Sequence, residues 1–295
     1  PETALPAPEW IDRGAWSRAN LTALSSMLDP LAEKAQAMGG MRGPSRAVTG
    51  LVATAEAGAL LGLVGRRVLG QYDLALLDAS IAPRLLFVGP NLAEAARALD
   101  APADDLLSWV ALHEVTHAVQ FAAVPWLREH LSALLRELLD GLQLRVRPEA
   151  LLRLPRAADL RGLLDAVREG GLAGIAIGRE RKGLFERVQA TMALVEGHAE
   201  WTMDAAAEGF VPSLPLLRSA LDRRRTERPP VMRLLDRLLG LELKLKQYAE
   251  GRRFCDAVVE ARGPEALRLA WRSPEHVPTI AELRAPATWL ARTGA

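Results

Sequence analysis

Apolar residues recur mostly at helical spacing along the chain, with two short exceptions. Residues 8–38 read as one or two helices that stop at Gly39-Gly40 and Pro44. AVTGLVATAEAGALLGLVG, residues 47–65, is apolar on every side and is followed by Gly70. QYDLALLD (71–78) and RLLFVGPN (84–91) are too short for helices, and the second is bounded by Pro83 and Gly89-Pro90, so both are predicted strands. Asn91 is placed to cap a helix over 92–99, which DAPADD interrupts. The next helix spans about 103–123, opens at Pro102 or Asp104 and is limited by Pro125. Helices over 126–142 and 183–208 follow, then others from 213, 228 and 251. RSPEHVPT (272–279) is a proline-rich turn before a short final helix. Between the long helices, 143–180 is broken by Pro148, Pro155 and several glycines. The fold class is therefore mainly α with a small β element, one domain over 1–295 with an insertion or subdomain at about 145–180.

Composition narrows the function classes. At 295 residues, 49% hydrophobic and 25% charged, the chain can bury a real core. A formal charge of +1 gives no electrostatic case for nucleic acid. The basic run LDRRRTER (221–228) has no interleaved aromatics and reads as a solvated helix end. The segment 47–65 is long enough to span a bilayer, but it carries Glu56 and four glycines, so a helix packed inside protein fits better. Cys255 is the one cysteine, so no internal disulfide is available; its context, RRFCDAVV, predicts a buried structural thiol. No secretory signal is visible from Pro1 onward, and a cytoplasmic protein is the expectation.

Chemistry concentrates in HEVTH, residues 113–117. His113 and His117 are four apart, one turn above each other on a helix face, where both imidazoles can reach one metal ion. Glu114 lies about 100° round the helix. It is placed as a general base toward a water at the metal. These are the only ionisable residues between Trp109 and Gln120, and burying such a trio without a metal would strand polar groups.

A third ligand must come from another element. His130, in WLREHLSALL, and His276, in the proline-rich turn, are poor candidates. In ALVEGHAEWTMD (193–204), Glu196 and Glu200 share a face at i,i+4, whereas His198 lies about 200° away. Glu196 is the preferred ligand, His198 the alternative. Glu200 is placed to accept the free N–H of a liganding histidine. Gly197 and Ala199 are expected to let two helix backbones approach closely.

An HExxH helix followed by an EGxA element resembles the gluzincin branch of zinc peptidases, and His113, Glu114, His117, Glu196 and Glu200 match its pattern. Over nearly the whole chain, GLVATAEAGALLGLVGRRVLGQYD, LLFVGPN, HEVTHAVQF, ALVEGHAEWTMD, LGLELKLKQYAEG and WRSPEHVPT…PATWLAR resemble the zincin-like metallopeptidase type 2 family. That actinobacterial-type group is sometimes labelled as associated with biosynthesis of the deazaflavin coenzyme F-420. The resemblance implies a mostly helical, zincin-like protein with one Zn2+ per chain. No glycine-rich phosphate loop or recognisable deazaflavin site accompanies it.

Other residues carry weaker signals. Tyr248, in KLKQYAEG, is a candidate oxyanion stabiliser. Tyr72 is expected to close a turn, and Arg66 and Arg67 to sit at a helix end. Trp109 and Trp201 are expected to pack beside the two motif helices. The functional expectation is a zinc-dependent peptidase acting on a peptide or protein substrate, without nucleic-acid or membrane partners. The alternative is a non-catalytic zinc protein, against which Glu114 speaks, since a structural site has no use for a base.

Overall fold

The structure, a computed structural model, describes residues 5–22, 61–62, 64–76, 78, 80–140, 182–207, 209–226 and 241–294. Most of 47–65, all of 145–180 and the start of the helix expected from 228 lie outside them. The chain divides into two compact units, Pro1–Ala123 with Met203–Asp222, and Val124–Thr202 with Arg223–Ala295.

The first unit is built on a three-stranded sheet of order β1-β3-β2. β3, Arg84–Val88, is central, parallel to β1 (Pro8–Ile11) and antiparallel to β2 (Gly70–Asp73). Its run LLFV is buried on both faces, as a central strand of continuous apolar sequence should be. β1 corrects the helical reading of residue 8 onward, since the helix begins only at residue 13. Glu9 and Arg84 tie β1 to β3 with two hydrogen bonds of 2.9 and 2.6 Å.

Helix α1, Gly89–Leu99, starts earlier than expected, because Pro90 suits a first turn and Val88 occupies the N-cap. Asn91 is therefore inside the helix. Its buried amide donates instead to the carbonyls of Gly65 and Val68, both at 2.6 Å. Leu92, Ala95, Ala96 and Leu99 form the inward stripe. Asp100 then ends the helix in the left-handed region, φ 50°. Helix α2, Ala103–Ala123, has the expected bounds and opens on Asp104 and Asp105, which complement its positive end. Leu106 and Val110 of α2 join Leu85 and Phe87 of β3 in the core, together with Ala207, Val211, Leu214 and Leu217.

The second unit holds α3 (Pro125–Asp140), most of α4 (Lys182–Ala207), whose last turn from Met203 belongs to the first unit, and α6 (Leu241–Arg262). Between α4 and α6 in sequence lies α5, Leu214–Thr226. Ala190, Ala193 and Leu194 of α4 pack with Phe254, Cys255 and Val258 of α6. The close backbone approach foreseen at Gly197 is real, and it is made to α6. A methyl group on Gly197 would fall 2.1 Å from the Gly251 carbonyl carbon, and one on Gly251 would fall 1.9 Å from the Ala193 oxygen. Beyond α6 the chain turns through short 3-10 segments into α7 (Ile280–Arg284) and α8 (Pro286–Thr293), two short helices where one was expected. Thr279 and Glu282 cap α7 reciprocally, and Arg292 reaches back to Glu282 at 2.6 Å. Trp289 is fully buried edge-on to Phe254, and its N–H donates to the His276 carbonyl at 2.7 Å.

Candidate functional site

The HEVTH face of α2 is largely buried: Glu114 and His117 each retain 8% of their surface. One turn of helix sets the His113 and His117 rings edge to face, with centroids 4.6 Å apart, and brings their Nε2 atoms to 3.2 Å. Trp109, one turn earlier, stacks on His113 with an interplanar angle of 15°. Trp109 thus packs on this helix, as expected.

The donor chemistry fits a metal. His117 Nδ1 lies 3.0 Å from Gln120 Oε1. An amide oxygen only accepts, so this contact suits the tautomer with its proton on Nδ1, which would leave an Nε2 lone pair facing His113. Zinc–imidazole bonds run about 2.0–2.1 Å. Two such nitrogens 3.2 Å apart subtend roughly 100° at a shared ion, close to the tetrahedral angle that zinc favours. His113 and His117 thus offer one metal ion two imidazoles from a single helix face, and Glu196, the expected carboxylate ligand, is carried by α4.

Glu114 is positioned by a strand. The backbone N–H of Tyr72 in β2 donates to Glu114 Oε2 at 2.7 Å. β2 is an edge strand, and its outward N–H is not needed by the ladder. Gly70 makes this approach possible: a methyl group there would lie 2.8 Å from Glu114 Cγ, 2.9 Å from Val110 Cγ1 and 3.1 Å from Glu114 Oε1. Tyr72 therefore extends a strand and does not close a turn, and its ring lies 6.0 Å from that of Phe121. Neither Gly70 nor the Tyr72 amide is singled out by the sequence, although a glycine opening a strand is a known mark of close approach.

Each of the other candidates has its own neighbours. His198 lies edge-on to Trp271, with centroids 5.1 Å apart, and its Nδ1 is 3.5 Å from Thr202 Oγ1. Trp201 stands beside His198, 6.2 Å between centroids. Glu200 is partly buried on α4, and its carbonyl accepts from Arg252 at 3.2 Å. His276 Nδ1 is 2.9 Å from Ser273 Oγ. His130 lies edge-on to Trp126 and lines a separate cavity of about 670 Å³ with Arg187, Glu275 and Val277. Burial, aided by the charge of Arg187, lowers its pKa. Cys255 is fully buried, and that burial pushes its thiol up to about 12, as an inert core cysteine requires. Tyr248 falls within α6, but its side chain lies outside the described residues. Among the described residues, no helix is long and apolar enough to cross a membrane.

A protein from Chloroflexus aurantiacus, whose crystal structure was presented as that of a candidate hydrolase with a novel fold, is 30% identical, with a TM-score of 0.69 over 98% of this chain and 82% of its own. No curated protein matches the chain. The sequence pattern of the zincin-like metallopeptidases matches residues 2–290, nearly the full length over which the histidine pair, its glutamate and α4 are distributed, and the chain belongs to that family.

Proposed function

We propose that the protein is a zinc-dependent peptidase, with His113, His117 and Glu196 as the metal ligands and Glu114 as the general base. The observation that carries this reading is the facing pair of Nε2 atoms 3.2 Å apart, next to a buried glutamate that accepts a hydrogen bond from a backbone amide. Bound by these residues, zinc would supply Lewis acidity, lowering the pKa of a water toward neutrality and polarising a peptide carbonyl.

The chain's own residues do the rest. Glu114, held through Oε2, takes the proton of the attacking water and delivers it to the leaving amine. Its buried setting keeps that proton from exchanging with bulk solvent. Glu200, one turn from Glu196 on the same face, orients a liganding histidine. Tyr248 is the candidate for stabilising the oxyanion. The substrate is a peptide or protein, as the family implies.

The test pairs metal analysis with digestion of a peptide library by wild type and Glu114→Gln. One zinc per chain in both proteins, with cleavage only by wild type, is the expected result. Zinc in both and cleavage by neither would leave the protein a non-catalytic zinc binder.

A further inference from the structure

We infer that Gln120 is a positioning residue for the metal site: its side-chain oxygen fixes the tautomer and the ring plane of His117, and so presents Nε2 as a ready-made ligand. This rests on the proposed zinc site. It adds a residue that neither the HEVTH motif nor the second helix contains.

The geometry is local and specific. Gln120 follows His117 by one helical turn, i,i+3, so both project from the same face of α2. Both are buried, at 5% and 8% exposure, and their polar atoms meet at 3.0 Å. A buried imidazole with a fixed acceptor on Nδ1 has one neutral form open to it, with the proton on Nδ1. The lone pair is then on Nε2, the atom that faces His113 Nε2 at 3.2 Å. The orienting group here is a carboxamide on the ligand's own helix. A carboxylate in that place would draw on the ring proton and raise the basicity of the ligand nitrogen. A neutral amide fixes the ring while leaving more positive charge on the metal, the charge a hydrolytic site uses to acidify water.

Two measurements test this. The first is the tautomer of His117 in the metal-free wild-type protein, read from imidazole 15N shifts at alkaline pH, where neutral rings predominate. Proton on Nδ1 is expected, and proton on Nε2 overturns the proposal without any variant. The second is zinc affinity, by competition with a chromophoric chelator, for wild type, Gln120→Leu and Gln120→Glu, each checked for folding by circular dichroism. Gln120→Leu should bind zinc about tenfold to a hundredfold more weakly and lose the Nδ1–H preference. Gln120→Glu, which keeps an acceptor at the same reach, should restore both. Folded Gln120→Leu that equals wild type in tautomer and affinity overturns the role of Gln120 alone. Wild type that takes up no zinc overturns the site itself, and this inference with it.

Discussion

Gly70→Ala is the most informative perturbation of the proposed base, Glu114. The added methyl carbon would stand 2.8 Å from Glu114 Cγ and 2.9 Å from Val110 Cγ1. Carbon atoms rest at about 3.5–4.0 Å, so the glutamate stem, the valine or the strand must yield by roughly 0.7–1.2 Å. Crowding of this kind costs about 1–3 kcal/mol of stability. A shift of about 1 Å in a catalytic group costs on the order of a hundredfold in rate. His113 and His117 are absent from the methyl group's nearest neighbours, so zinc binding should hold. The assay is kcat/KM on a peptide cleaved by wild type, together with zinc content and Tm for both proteins. Full zinc, a modest fall in Tm and a large fall in kcat are expected. A Gly70→Ala protein with wild-type kcat and Tm would show that the contact between β2 and Glu114 does not set the base, and would refute the reasoning.

Other expectations follow from the second unit. Gly251→Ala places a methyl 1.9 Å from the Ala193 oxygen, with backbone on both sides and nothing free to swing aside; chemical denaturation should show a loss near the upper end of overpacking, about 3 kcal/mol. Thr279→Ala removes the reciprocal cap of α7 and should cost about 1 kcal/mol in the same assay. Burial works to raise the Glu282 carboxyl, but its bonds to Arg292 and Thr279 prevail and hold it below its ordinary value of 4.5. That pairing therefore stabilises the fold above about pH 4.5 and is lost as pH falls through the lowered value, so Glu282→Gln should flatten the acid limb of a Tm-against-pH profile. Cys255, its thiol raised to about 12, should resist a thiol reagent at neutral pH until the protein is unfolded.

The long helices and the HEVTH face were legible in the sequence because their signals are local. α2 runs between Pro102 and Pro125 and shows its bounds directly, and RLLFV announces a buried strand. PEWI at 8–11 gives no such sign: four residues become a strand only by pairing with Leu85–Val88, more than seventy positions away. Asn91 had the right chemistry for a cap but the wrong place, since the helix already starts at Gly89, with Pro90 in its first turn. The partner of Glu114 was hidden for the same reason as β1. A backbone amide has no signature of its own, and Tyr72 lies 42 residues from Glu114. Gln120 differs, because its i,i+3 relation to His117 is written in the motif helix and needs only a buried face to be read.

The grip on Glu114 comes from the main chain of residue 72, and every amino acid but proline brings that N–H. Scanning β2 with alanine would strip the tyrosine ring and leave the grip intact, so the position would look dispensable. Proline at 72, or an ester in place of the peptide link by semisynthesis, is the change that reaches it. Glu114 is thereby insulated from drift in the side chain beside it, and the freedom to vary there can go to shaping the surface along the strand.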